Sequence, residues 1–152
     1  MSILFTPYRL GTITIRNRFV SSACEDNLAT EDGRVTEAVI RKHQRLAKGE
    51  AGLIISSHLS VHPWGRTRKG QLGIYSDDMI PGLRRVVETV HSQSGRIVLQ
   101  LGHAGLGTKP EWIGRPPMGT ASSSTPLTDI CSMNSSLPIL IPRSLLRVPL
   151  VW

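Results

Sequence analysis

RIVLQLGHAG, residues 96–105, begins as a buried strand and ends as something else. Ile97, Val98, Leu99 and Leu101 form the short, nearly continuous apolar run of a parallel strand packed on both faces. A primary amide, Gln100, interrupts the run, and a Gly-His-Ala-Gly turn follows at once. An amide both donates and accepts hydrogen bonds. Late in a parallel strand it stands where such folds bind their ligands, at the carboxyl edge of the sheet.

Two upstream runs have the same character. RFVSS predicts a strand near 18–22 and GLIISS a strand near 52–57. Between them, TEAVIRKHQRLAKG sets Val39, Ile40, His43, Leu46 and Ala47 on one side of a helix, with Thr36 as its N-cap and Gly49 as its stop. SDDMIPGLRRVVETVHSQSG sets Ile80, Leu83, Val87 and Val90 along a second helical stripe, capped by Ser76, Asp77 or Asp78 and closed by Gly95. Pro81 fits that helix if the regular turns begin there. YRLGTITI, ahead of all of these, reads as a small hairpin. Strand and helix alternating every 35 to 45 residues or so is the pattern of a parallel α/β fold with right-handed crossovers.

The polar groups at the three strand ends are Ser22, Ala23, Cys24 and Glu25, then Ser56, Ser57 and His58, then Gln100 to His103. A parallel sheet brings all three groups to one rim. His58 and His62 are four apart, but Pro63 makes that stretch a loop rather than a helical face, and no metal site is expected. Gly102, Gly105 and Gly107 precede no regular helix and are a weak phosphate signature.

A chain of 152 residues, 39% hydrophobic, builds one domain with a real core. Its net charge of +7 and pI near 10.3 raise the question of nucleic acid. The basic residues are scattered among acidic ones, however. The densest run, RTRKG at 66–70, has no aromatic platform beyond Trp64 and matches no nucleic-acid motif. Nothing in their spacing pairs Cys24 with Cys131. The first residues lack the charged start and apolar run of a secretion signal, and no stretch approaches the roughly 20 apolar residues of a membrane span. A cytoplasmic location is the expectation.

Order fails after Met118. Residues 119–152 hold three charged residues, seven serines and prolines at 126, 138, 142 and 149, with no helical or alternating period. The expected division is therefore 1–118 as the fold and 119–152 as an aberrant Ser/Pro-rich tail outside it.

LFTPYRLGTITIRNRFVSSA, EDGRVTE, AGLIISSHLSVHPWGR, GQLGIYSDDMIPGLRRVVETVH, IVLQLGHAG and GRPPMG, in this order, resemble the N-terminal part of the Old Yellow Enzyme family of FMN-dependent NADH:flavin oxidoreductases. The resemblance is nearest to the branch with the dienoyl-CoA reductases and trimethylamine dehydrogenase, and it covers residues 3–118. It implies a TIM (β/α)8 barrel, FMN as cofactor, and hydride transfer from NAD(P)H through flavin to an activated alkene or similar acceptor. It also implies that Gln100 binds the pyrimidine end of the isoalloxazine ring, that Ser22, Ala23, Cys24 and Glu25 run beneath its N5 and O4 edge, and that His58 is close to the flavin.

The chain departs from the family pattern at Ala23, where Pro is common, at Cys24, where Met or Leu is frequent, and at Leu106, where Arg is usual. Glu25 replaces a Thr or Cys that tunes the flavin, and a carboxylate near O4 opposes reduction unless protonated or turned away. Cys24 has an alternative reading as a small buried hydrophobe. The family's substrate-holding histidine pair, its later basic flavin contact and its phosphate loops have no counterpart in these residues.

A complete barrel takes ~250 residues. The expectation is thus an incomplete barrel, its first three βα units after a hairpin, inactive on its own. The alternatives are a non-catalytic interaction module that needs a partner chain and a basic nucleic-acid binder.

Overall fold

The apolar runs become the elements that their patterns predict, with adjusted ends. The computed structural model describes residues 2–118, so the reading of 119–152 as a tail lies outside the described residues. A hairpin pairs β1 (Tyr8–Leu10) with β2 (Ile13–Ile15). Then follow β3 (Val20–Ser21), α1 (Glu37–Lys48), β4 (Leu53–Ser60), α2 (Ile80–His91), β5 (Ile97–Gly102) and the single turn α3 (Pro110–Ile113). The last three strands make one parallel sheet in the order β3-β4-β5.

β3 is shorter than the run 18–22 suggested, because its approach is held by other partners. Arg18 N donates to Leu4 O at 2.9 Å and Phe19 N to Asn17 Oδ1 at 3.1 Å. β4 is longer than expected and continues to Ser60. There Ser60 N donates to Leu72 O at 2.8 Å and Ile74 N donates back to Ser60 O at 2.9 Å.

Thr36 caps α1 as its sequence suggests. Its Oγ1 accepts from Val39 N at 3.4 Å and donates to Leu28 O at 2.6 Å. The start of α2 differs from expectation. A 3-10 turn, Asp77–Met79, leads into the helix at Ile80, and no side-chain cap bond forms at Ser76. Asp78 instead meets Arg34 at 2.5 Å. Pro81 falls in the first turn, where its missing N–H is not needed.

Both helices cover the same face of the sheet. Val39, Ile40, Leu59, Leu72, Leu83 and Val86 form one buried cluster, and Ala47, Ile54 and Val90 a second. On α2 it is Val86, not Val87, that is buried. Leu83, Val86 and Val90 satisfy the 3.6-residue period as well as the expected stripe does, and packing against α1 selects between them. Each such branched side chain contributes roughly 1.5–3 kcal/mol when fully buried. Ile97 and Leu99 of β5 pack on these clusters, while Val98, Gln100 and Leu101 are exposed. Val20 on β3 is 50% exposed. The expectation of strands packed on both faces is therefore corrected: helices cover one face, and the inner face is open.

One irregularity in β4 orders that inner face. Ile54 and Leu59 both join the helix-side core although five residues separate them, and a strict period of two would put them on opposite faces. The register explains it. Ile55 stands opposite Val98 and His58 opposite Gln100, so three steps on β4 match two on β5. The extra residue is a bulge within Ser56–Ser57. Ser56 Oγ accepts the Gln100 N–H at 3.1 Å and donates to Ser57 O at 2.7 Å, taking the place of a ladder bond. The bulge turns Leu59 toward the helices and His58 to the inner face beside Gln100.

At the amino end of the sheet Asn17 locks β3 to β4. Its Nδ2 donates to Glu50 O at 2.6 Å, and a Cβ on residue 52 would lie 2.4 Å from Asn17 O, so only glycine fits there. Next to this lock the hairpin leaves an apolar hollow of about 200 Å³, lined by Tyr8, Leu10, Ile15, Arg18, Val20 and Leu53. No helix among the described residues is long and apolar enough to cross a membrane.

Two outcomes follow from this packing. Ser56→Ala leaves the Gln100 N–H without its acceptor and should lower stability by about 1–3 kcal/mol in urea unfolding. Unchanged stability would show that the bulge holds without the hydroxyl. His43, 1% exposed, donates Nδ1–H to Val39 O at 2.9 Å; burial first, then Lys42, holds its pKa below the ordinary 6.5. Above that value the group is neutral in both states. As pH falls through it, the unfolded chain binds the proton first, so stability drops until the lowered folded pKa is reached. The melting temperature should fall between pH 7.5 and 5.5 more steeply in the parent chain than in His43→Leu.

Candidate functional site

The carboxyl ends of β3, β4 and β5 carry the residues singled out in the sequence, and the sheet order sets them side by side. His58 and Gln100 are register partners on the open face. Neighbours in a parallel sheet point to the same side, so imidazole and amide stand together. His58 is half-buried and lies against Gly102, where a Cβ would come within 3.1 Å of its Cδ2. Gln100 is exposed, and its amide makes no hydrogen bond among the described residues. An exposed, unengaged amide above an apolar face is free to take both a donor and an acceptor from a ligand.

The segment after β3 behaves differently. Ser22, Ala23 and Cys24 are exposed, and Cys24 is a free thiol, which corrects the reading of it as a buried hydrophobe. Lys42 holds this segment from α1, donating Nζ–H to Cys24 O at 3.3 Å and to Asp26 Oδ2 at 2.6 Å. The Glu25 carboxylate is turned toward the loop that follows β4. Its Oε1 accepts from the Thr67 hydroxyl and lies 3.5 Å from Arg68 Nε. The geometry thus turns the charge of Glu25 toward Thr67 and Arg68. No hydrogen bond among the described residues joins this segment directly to Gln100.

Thr67 and Gln71 provide the indirect link, and neither stands out in the sequence. Gln71 is 2% exposed. Its Oε1 accepts from Thr67 N at 2.6 Å and Thr67 Oγ1 at 2.9 Å, and its Nε2 donates to His58 O at 3.2 Å. A glutamine just before an apolar LGI run is the one available signal, and surface glutamines give the same pattern.

The loops after β4 and β5 close over this edge. Ala104 N donates to Gly65 O at 2.8 Å. His103 Nδ1 accepts the Gly105 N–H at 3.0 Å, and burial, then His62, lowers its pKa. It serves the turn. The Trp64 ring sits 4.8 Å from that of His62 and 3.9 Å from the Arg115 guanidinium. Leu106 lies in a 3-10 turn, Gly105–Gly107, and is half-buried. Among the described residues no group of three His, Cys, Asp or Glu is placed to hold a metal.

The flavin ring's polar edge fits this face on one observation, the free Gln100 amide beside His58. The apolar hollow lies at the opposite end of the sheet, and its polar groups are Arg18, stacked on the Tyr8 ring, and the Tyr8 hydroxyl.

An NADH oxidase from Thermoanaerobacter brockii is 38% identical over 108 residues, which are 70% of this chain and 17% of that protein. An NADPH dehydrogenase from Halalkalibacterium halodurans is 38% identical over 103 residues, covering 67% of this chain and 30% of its own length. The chain therefore spans less than a third of these curated relatives. Among solved structures, the Old Yellow Enzyme homologue from Zymomonas mobilis superposes with a TM-score of 0.75 at 30% identity, over 82% of this chain and 35% of that one. The family model for NADH:flavin oxidoreductase / NADH oxidase matches residues 3–138. FMN is that family's cofactor and NAD(P)H its electron donor. With its α/β fold aligned on Old Yellow Enzyme structures and most of its length matched by the family model, the chain belongs to the NADH:flavin oxidoreductase / NADH oxidase family.

Proposed function

We propose that this chain forms the flavin-edge portion of an FMN-dependent oxidoreductase barrel of the Old Yellow Enzyme type. In this reading it supplies the first three of eight βα units. The pairing of His58 with an unengaged Gln100 amide on the open face carries the reading. Gln100 would hold the pyrimidine edge of the ring, offering a donor that favours negative charge and an acceptor for a ring N–H. Ser22, Ala23 and Cys24 would line the opposite edge with backbone and small side chains, while Glu25 fixes the segment from behind. His58 would bound the ring between them. Bound FMN would supply the chemistry, accepting hydride from NAD(P)H and passing it to an activated alkene or related acceptor. The substrate-holding and phosphate-holding groups would come from further βα units, so the 152-residue chain is expected to show no ene-reductase or NADH oxidase turnover by itself.

A second reading is an interaction module whose barrel is completed by βα units of another chain. The open inner face favours it, because Val20 and Val98 are exposed on it, on the two edge strands of the described sheet. The nucleic-acid reading has less support. In the densest basic run Arg66 is spent on three carbonyls, and Arg68 and Lys69 face Glu25 and Glu31.

Titration of the chain with FMN, followed by flavin fluorescence, tests the leading reading. Gln100→Leu should weaken binding about tenfold, the worth of one or two good hydrogen bonds, with an unchanged circular dichroism spectrum. Equal affinity in parent and variant would remove Gln100 from the site. A chain that binds no FMN until a second polypeptide is added would select the interaction module.

A further inference from the structure

We propose that Thr67 and Gln71 are positioning residues. They form a strut that fixes the segment after β3 against the carboxyl end of β4, and so set where Cys24 and Glu25 stand relative to His58. The role toward flavin rests on the function proposed above; the strut itself rests on geometry alone.

The chain of contacts is continuous. Gln71 Nε2 donates to the backbone carbonyl of His58 at 3.2 Å. Its Oε1 receives both the N–H and the hydroxyl of Thr67, at 2.6 and 2.9 Å. The Thr67 hydroxyl also approaches Glu25 Oε1, with Arg68 Nε 3.5 Å from the same oxygen. A hydroxyl has one proton. An ionised Glu25 attracts it more strongly than an amide oxygen does, which leaves Gln71 Oε1 with the Thr67 N–H as its firm partner.

Among the described residues the other long-range anchors of this stretch are Lys42 on the α1 side, bound to Cys24 O and Asp26, and farther along the Ala29 N–H, which donates to Gly70 O at 2.9 Å. With Thr67 removed, the segment keeps the Lys42 anchor and an exposed ion pair with Arg68, which is worth little. Gln71 is buried, so its firm bonds to Thr67 N and His58 O are made away from water, where losing one partner leaves the other unsatisfied. A residue that only filled space in this position would be apolar.

The test needs a reporter of the segment that does not depend on flavin, and the exposed Cys24 thiol supplies one. In the 152-residue chain carrying Cys131→Ser, the rate of Cys24 alkylation by iodoacetamide is measured. Thr67→Val, of nearly the same volume, should raise that rate about threefold or more by freeing the segment, and Thr67→Ser should restore the parent rate. Gln71→Leu should act like Thr67→Val. Val90→Ala, a core change far from the strut, should lower the melting temperature and leave the rate unchanged. If either strut variant fails to fold, Glu25→Gln, which keeps the bulk and weakens the charged bond, should give the same rise in a folded chain. Parent-like rates in the folded strut variants, or an equal rise in Val90→Ala, would overturn the strut.

A parallel FMN titration separates the two claims. Binding weakened about tenfold in Thr67→Val and recovered in Thr67→Ser supports a positioning role toward the ligand. Equal FMN affinity in Thr67→Val and parent overturns that role. No FMN binding by the parent chain overturns the proposed function, and the alkylation rates still decide whether the strut exists.

Discussion

The extra residue that β4 carries at Ser56–Ser57 decides which side chains face the helices and which face the open inner side of the sheet. Side-chain direction in a strand has a period of two, so one inserted residue inverts every position beyond it. Before the bulge Ile54 belongs to the core, and after it Leu59 does, at 0% exposure. The same inversion brings His58 to the inner face in register with Gln100. A regular strand would send His58 into the helix layer and Leu59 to the inner side, with a loss on both counts. The break in the ladder frees the Gln100 N–H, and Ser56 Oγ takes it. Ser57 Oγ, buried and without a partner among the described residues, is the part of the cost that remains.

That arrangement shows why some features were readable in the sequence and others were not. Helix α1 announces itself through Thr36, Gly49 and a 3.6-residue period, all of them local properties. The three strands were visible as apolar runs. The end of β4 was misread because serines usually mark the end of a strand, whereas Ser56, Ser57 and Ser60 are all buried here. Their polarity is absorbed by the bulge and by the contacts of Ser60 with Leu72, Ile74 and His62. Gln100 drew notice as an amide within an apolar run, and the family resemblance supplied its expected role. Thr67 and Gln71 escaped notice because their partners, Glu25 and His58, are distant in sequence, and no period connects them. Cys24 was ambiguous for a similar reason, since a lone cysteine carries no sign of which way it faces.

The charges at the rim are arranged by the same loops. Glu25 is the acidic residue nearest the exposed stretch 22–24, and its carboxylate is engaged by Thr67 and Arg68 of the loop after β4. Lys42 neutralises Asp26 next to it, and that pair is mostly buried on the carboxylate side. The segment therefore presents backbone and small side chains outward, with its acidic groups turned into the protein. An edge arranged in this way can accept a ligand that gains negative charge without a fixed anion opposing it.

The inner face is both a core and a site, and the two cannot be separated. Along β4 and β5 the residues pointing away from the helices are Leu53, Ile55 and Val98 toward the amino end, then His58 and Gln100 toward the carboxyl end. In the first group Leu53 is buried, Ile55 half-buried and Val98 exposed apolar surface; the second group is polar. In a closed barrel, packing of the interior satisfies the first group and thereby fixes the height and tilt at which the second is presented. With Val98 at 39% and Val20 at 50% exposure, this sheet leaves that packing undone. Whatever covers the apolar half lowers the free energy of the strand arrangement that holds His58 beside Gln100. By linkage, any ligand that bound the polar half would favour the same arrangement, so its affinity and closure of the interior would rise together.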